Sequence, residues 1–239
     1  MKVIVCKNYD EASQVGARMV ASQVTLKPDS VFGLPTGSTP IGTYQNLAKM
    51  YRAGELDFSE AKSFNLDEYF PISREHDQSY YYFMHDNFFN HVNFKPENVH
   101  ILNGTVKDPQ KECADYEAAI KEAGGIDFQV LGIGNNGHIG FNEPGAELSS
   151  VTYLVTLTEN TLEANARFFD SVNDVPKQAL TSGMATILKA KKIILIATGA
   201  NKKEAVKKIL SGKITTECPA TMLSMHNDVT LIVDEEAYN

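Results

Sequence analysis

The stretch Phe128-Gln129-Val130-Leu131-Gly132-Ile133-Gly134-Asn135-Asn136-Gly137-His138-Ile139-Gly140-Phe141-Asn142-Glu143-Pro144-Gly145 decides how this chain is read. It begins as an apolar run, predicted as a strand over Phe128–Ile133, and turns abruptly into a loop dense in glycine. Gly132, Gly134 and Gly137 spell G-x-G-x-x-G directly after the strand, the spacing of a dinucleotide-binding turn. The next residues rule that reading out. The fingerprint has to open a helix, whereas Gly140, Pro144 and Gly145 arrive too soon for a regular one. The segment is instead a long irregular loop beyond a strand end, aiming His138 and Glu143 into one cleft. An imidazole oriented by a carboxylate suits proton transfer near neutral pH. A surface histidine in a turn-rich loop is the plainer alternative, but the glycine density argues for close approach of backbone to a ligand.

Outward from this segment, short apolar runs alternate with longer amphipathic ones. Strands are predicted at Val3–Cys6, Val31–Leu34, Ser63–Leu66, Val99–Leu102, Val151–Leu157, Ile193–Ala197 and Val229–Val233. Helices are predicted at Asp10–Val24, Ile41–Tyr51, Ser79–Phe89, Pro109–Ala123 and Lys202–Leu210. This alternation implies βαβ crossovers and an α/β fold: a single doubly wound, mostly parallel sheet with helices on both faces. No repeat, low-complexity tract or linker interrupts it, so residues 1–239 are expected to form one domain. In such sheets ligands bind beyond the carboxyl ends of the strands.

Three further segments follow strands. In Pro35-Thr36-Gly37-Ser38-Thr39-Pro40, Gly37 permits a tight turn, and Thr36, Ser38 and Thr39 bring hydroxyls to a helix N-terminus. That composition serves either as a phosphate cradle or as a helix cap. It lacks the Gly-Lys-Ser/Thr ending of a Walker A loop. In Asn65-Leu66-Asp67-Glu68-Tyr69-Phe70, adjacent carboxylates sit at a strand end. Successive side chains of an extended chain point opposite ways, so only one can enter a pocket as a general base. The alternative is an acidic turn. In Thr198-Gly199-Ala200-Asn201-Lys202-Lys203, a lysine in the first helical turn opposes the helix dipole; either a bound anion or a solvated basic face accounts for it.

Composition narrows the classes. The 239 residues hold Lys+Arg 22 and Asp+Glu 30, a formal charge of -8, with 43% hydrophobic and 22% charged residues. This is a globular balance, and its sign argues against nucleic acid as a partner. An anionic substrate would need a local cationic pocket to overcome the global field. Cys6, Cys113 and Cys218 are scattered without metal spacing, as in a reduced cytoplasmic protein. The N-terminal apolar run is too short for a signal peptide, and no stretch suggests a membrane span. His76, His85, His91, His100 and His226 show no metal-binding pattern.

Taken together, these loops resemble the glucosamine-6-phosphate deaminase family. The resemblance runs through Leu34–Pro40, Asn65–Tyr69, Gly132–Pro144, Ala166–Phe169, Val175–Thr181 and Gly199–Lys202, nearly the whole chain. Related 6-phosphogluconolactonases have a similar Gly-His loop but a different tail in place of Phe141-Asn142-Glu143-Pro144. The resemblance implies conversion of glucosamine 6-phosphate and water to fructose 6-phosphate and ammonia, without metal or organic cofactor. It implies that His138, oriented by Glu143 and Asn136, opens the sugar ring, and that Asp67 moves the C2 proton to C1. It assigns Thr36, Gly37, Ser38, Thr39, Arg167 and Lys202 to the phosphate, and a mobile lid to residues 155–181.

Two departures from the family pattern matter. Position 136 is Asn where better-known hexameric members carry Asp, which predicts an altered pH dependence. Members activated by N-acetylglucosamine 6-phosphate carry basic residues where this chain has Tyr153 and Val155, and they have longer C-termini. No such activation is therefore expected, and a monomer is favoured over a homo-oligomer. The competing readings are a phosphosugar lactonase or isomerase, a sugar-phosphate sensor and an inactive paralogue. A strand expected from residue 3 leaves a sensor's DNA-binding segment no room, and the pairing of Asp67 with His138 favours catalysis.

Overall fold

The computed structural model describes residues 1–166, 169, 171 and 174–239. Its main sheet is parallel throughout and has seven strands, in the order β1 (Lys2–Cys6), β10 (Val229–Asp234), β9 (Lys192–Ala197), β6 (Phe128–Leu131), β2 (Val31–Leu34), β3 (Lys62–Asn65) and β5 (Val99–His100). The central strands are nearly continuous apolar runs because both of their faces are covered. In β9, Ile194 and Ile196 enter a core shared with α1 (Tyr9–Leu26), α2 (Ile41–Arg52) and α3 (Tyr80–Asn87). Ile193 and Leu195 point the other way, to a core shared with α4 (Pro109–Glu122) and α7 (Lys203–Leu210). Each such fully buried side chain contributes roughly 1.5–3 kcal/mol of transfer free energy, so the period-two alternation holds a helical layer on either side.

The helix starts obey local chemistry. Asn8 accepts the Glu11 N–H to cap α1, and Asp108, followed by Pro109, accepts the Lys111 N–H to cap α4. From β2 the chain moves outward to β3 and β5, then returns to place β6 on the opposite side of β2. The gap between the carboxyl ends of β2 and β6 is thus a topological switch point.

The molecule also has a second, antiparallel sheet, which departs from the single sheet expected. It has the order β4 (Asp67–Phe70), β8 (Gln178–Thr181), β7 (Tyr153–Thr156), with Asp67 opposite Thr181. The strand expected at Val151–Leu157 belongs here and not to the parallel sheet. β4 begins one residue after β3, and its charged start is unfavourable for a strand by local propensity. Only pairing with β8, more than a hundred residues away in sequence, makes it one. Tyr69, Ile72, Phe141, Leu157 and Ala179 form a separate small core beside this sheet. Two short helices, α5 (Glu159–Ala166) and α6 (Met184–Leu188), lie where the sequence pattern predicts none. Among the described residues, no helix is long and apolar enough to cross a membrane.

Candidate active site

A cavity of about 870 Å³ opens at the carboxyl ends of β2, β3, β6 and β9, across the switch point. Thr36, Gly37, Ser38, Thr39, Asp67, Asn136, His138 and Lys202 all line it. Glu143 sits against His138 without lining the cavity, and Arg167 lies outside the described residues. A second groove, about 450 Å³, is lined by Arg74, Tyr81, His85, Phe94, His100 and Tyr116 among others and holds none of the candidate residues.

Asp67 is the first residue of β4 and is only 6% exposed. No described residue donates a hydrogen bond to its carboxylate. Burial, with the Glu68 charge adding, pushes its pKa up to about 8. Glu68 points the opposite way, as the pleat of a strand requires. It accepts the N–H groups of Tyr80 and Tyr81 in the first turn of α3, and that of Tyr69. Burial raises the Glu68 pKa to about 7 against these donors. One acid of the pair therefore faces the cavity and the other caps a helix.

His138 and Glu143 come from the irregular loop after β6. Nδ1 of His138 lies 3.2 Å from Oε1 of Glu143. Oε2 of Glu143 accepts the Asn136 side-chain amide at 2.7 Å, and Oε1 also accepts the Thr161 hydroxyl from α5. Burial opposes ionisation of Glu143, but the His138 ring and its charge, with the Thr161 and Asn136 donors, hold its pKa at about 2. The Glu143 carboxylate stands beside Nδ1 at ion-pair distance but without hydrogen-bond geometry; its charge favours a proton on that nitrogen, and the ring lines the cavity. The contacts of Asn136 to the imidazole are indirect: its amide donates to Glu143, and its carbonyl accepts the backbone N–H of His138 at 3.1 Å. A side chain two residues away on this turn reaches the backbone and the carboxylate behind the ring.

Two of the loop's glycines make room for the protein's own side chains. A Cβ built on Gly134 would lie 2.2 Å from Cε1 of the His138 ring, so this glycine makes room for that side chain. At Gly140, with φ +56°, an added Cβ would meet the Thr181 hydroxyl at 2.9 Å and Asp67 Oδ2 at 3.4 Å. Gly132, whose added Cβ would make only ordinary contact with Thr39, lines the cavity with Gly134 and Gly140.

At the other end of the cavity, α2 begins without a side-chain cap; its N-cap position is Pro40. The hydroxyls of Thr36, Ser38 and Thr39 are thus not used for capping α2 and line the cavity instead. Gly37 turns with φ +87°. Lys202, in a short 3₁₀ turn before α7, donates to Asn135 Oδ1 at 2.7 Å.

Four lining residues escape a reading of the sequence. The Tyr9 hydroxyl donates to the Ser38 carbonyl at 3.1 Å and accepts the Gly42 N–H at 2.8 Å, pinning the hydroxyl-rich loop to α2. Tyr80, Thr161 and Asn165 line the cavity from α3 and α5. No local pattern marks them, since each is an ordinary helix residue delivered by tertiary packing. Among the described residues, no group of three or more His, Cys, Asp or Glu is placed to hold a metal ion.

A buried acid, an oriented imidazole and an anion-suited helix start, gathered at the switch point of a doubly wound sheet, define an α/β enzyme of proton transfer. The chain belongs to the family described as glucosamine-6-phosphate isomerases/6-phosphogluconolactonase, whose model matches residues 9–232. It is similar to the glucosamine-6-phosphate deaminase of Halothermothrix orenii, 57% identical over 99% of this chain and 98% of that protein. It is also similar to that of Clostridium perfringens, 56% identical over 99% and 98%. A solved monomeric glucosamine-6-phosphate deaminase superposes with a TM-score of 0.97 at 47% identity, over 99% of this chain and 98% of the other. The 6-phosphogluconolactonase of Trypanosoma cruzi shares the fold, with a TM-score of 0.78 at 21% identity over 99% and 95%.

Proposed function

We propose that this protein is a glucosamine-6-phosphate deaminase, converting glucosamine 6-phosphate and water to fructose 6-phosphate and ammonia. The observation that carries this reading is the placement of Asp67, a buried carboxylate without a hydrogen-bond donor among the described residues, in one cavity with a histidine held by Glu143. His138 moves a proton at the ring oxygen, giving the open-chain aldehyde. The C1 carbonyl then acidifies the C2–H bond, and Asp67 takes that proton. It returns the proton to C1 through a cis-enolamine, leaving an imine at C2. Water adds to the imine, and ammonia leaves. The substrate's ammonium group, next to the carbon that reacts, favours the ionised form of Asp67 and offsets the burial that otherwise keeps it protonated.

The phosphate is assigned to Thr36, Gly37, Ser38, Thr39, Lys202 and Arg167, the last by family resemblance alone. Lys202 and the N–H groups of this turn supply locally what the -8 chain lacks overall. The reading needs no cofactor, and a cytoplasmic location suits three buried, reduced cysteines. Likeness to a monomeric deaminase supports a monomer. Tyr153 and Val155, in place of basic residues, support a hyperbolic rate curve; sigmoidal kinetics abolished by N-acetylglucosamine 6-phosphate would count against this. The decisive assay supplies glucosamine 6-phosphate and measures ammonia and fructose 6-phosphate, with Asp67→Asn as control. Absence of ammonia release by the native protein defeats the proposal.

A further inference from the structure

Glu143 belongs to a loop without regular secondary structure; among the described residues it carries a single isolated bridge, Ile139 with Asn142. Two of the carboxylate's partners, Asn136 and the His138 ring, come from that same loop. The loop backbone is tied to its surroundings, with the Phe141 N–H donating to Thr181 Oγ1 and the Gly137 carbonyl accepting the Ala220 N–H, but neither contact holds the Glu143 carboxylate itself. Thr161 is the described donor that reaches Glu143 from another element, α5. It is 5% exposed, so water is a poor competitor for its hydroxyl. The direction of its proton is set from behind. The Thr158 hydroxyl donates to Thr161 Oγ1 at 3.2 Å while accepting the Thr161 N–H at 3.3 Å, and the Thr158 carbonyl accepts the Leu162 N–H. The start of α5 thereby leaves the Thr161 proton for the carboxylate alone.

We infer that Thr161 is a positioning residue of the proposed reaction: from α5 its hydroxyl anchors Glu143 so that Oε1 stays aimed at Nδ1 of His138. The inference rests on the deaminase reading for its kinetic consequence but not for its structural one. With the hydroxyl present, the carboxylate plane is held at both oxygens and Nδ1 keeps its proton, leaving Nε2 to work in the cavity. Without it, Oε1 loses its anchor on α5, and the imidazole samples both tautomers. The other titratable groups nearby are Tyr9, Asp67, Tyr80 and Lys202, which share the cavity, and the Tyr153 phenol, which feels the Glu143 charge. All five are the same in the variants compared below, so a change in the imidazole follows from the hydroxyl.

The test replaces the hydroxyl with a methyl group of similar shape in Thr161→Val and restores it in Thr161→Ser. Two measurements are made on each: steady-state kinetics with glucosamine 6-phosphate, and ¹⁵N chemical shifts of the His138 ring, which report the tautomer without any substrate. The valine variant should lose about tenfold in kcat with KM little changed, in keeping with loss of a hydrogen bond to a charged group. Its ring shifts should move toward a mixture of tautomers, and serine should restore both. Should valine fail to fold, Thr161→Ala makes the same comparison. Unchanged ring shifts overturn the inference, as does a serine variant as impaired as valine, which would show that the hydroxyl alone does not sustain the site. If the native protein releases no ammonia, the deaminase reading fails while the ring shifts still decide the role of Thr161.

Discussion

Asp67→Asn should make the protein more stable at alkaline pH while disabling it. The Asp67 carboxyl titrates at about 8 in the folded chain against an ordinary value of 3.8. Between those limits the folded state retains a proton that the unfolded chain releases. Stability therefore falls as pH rises from about 4 to about 8, and is flat on either side. Each unit costs about 1.36 kcal/mol, which sets a ceiling of about 6 kcal/mol for the whole interval. Relaxation and entry of water into the open cleft reduce this to about 2–3 kcal/mol. Asparagine keeps the shape and carries no such penalty. Urea unfolding of native and variant protein at pH 5 and pH 9 reads the effect directly. The variant should gain about 1.5–2 kcal/mol relative to native protein on going from pH 5 to pH 9, since that range covers about three of the four units. Glu68 is present in both proteins, so the difference reports Asp67 together with its coupling to Glu68. In parallel, native kcat/KM should rise toward pH 8 as the base ionises, and the variant should lose a factor of about 10²–10⁴. A stability difference independent of pH would refute the idea that Asp67 is a buried, donor-less acid.

Neighbouring residues are open to equally direct tests. Gly134→Ala drives a Cβ to within 2.2 Å of the His138 ring, so kcat should fall about 100-fold while the melting temperature shows a folded protein. Asn136→Asp removes the amide donor 2.7 Å from Glu143 Oε2 and sets a second negative charge there; the acidic limb of the pH–rate profile should move up by about a unit, and an unchanged profile would refute the coupling. Lys202→Ala should raise KM about tenfold with little change in kcat, since a phosphate contact is made equally in ground and transition states; steady-state kinetics with glucosamine 6-phosphate separates the two.

Legible in the amino-acid order was whatever local chemistry decides. Buried parallel strands such as Ile193–Ala197 announce themselves as apolar runs, and the amphipathic patterns at Asp10–Val24 and Pro109–Ala123 mark α1 and α4. The residues flanking strand ends then pointed to Asp67, His138, Glu143, Lys202 and the Thr36–Thr39 turn, all at one end of the sheet or directly behind it. Even the division of labour between Asp67 and Glu68 follows from the pleat. Tertiary structure alone decided which member of that pair faces the cavity, because β4 is a strand only through its pairing with β8. It also decided that the Asn136 amide meets Glu143, that Gly134 and Gly140 make room for side chains, and that Tyr9 and Thr161 line the cavity. The physical reason is common to all of these. Helix, strand and cap signals arise between residues a few positions apart, whereas a hydroxyl 18 residues away from Glu143 becomes its partner only when a separate helix is packed against the loop.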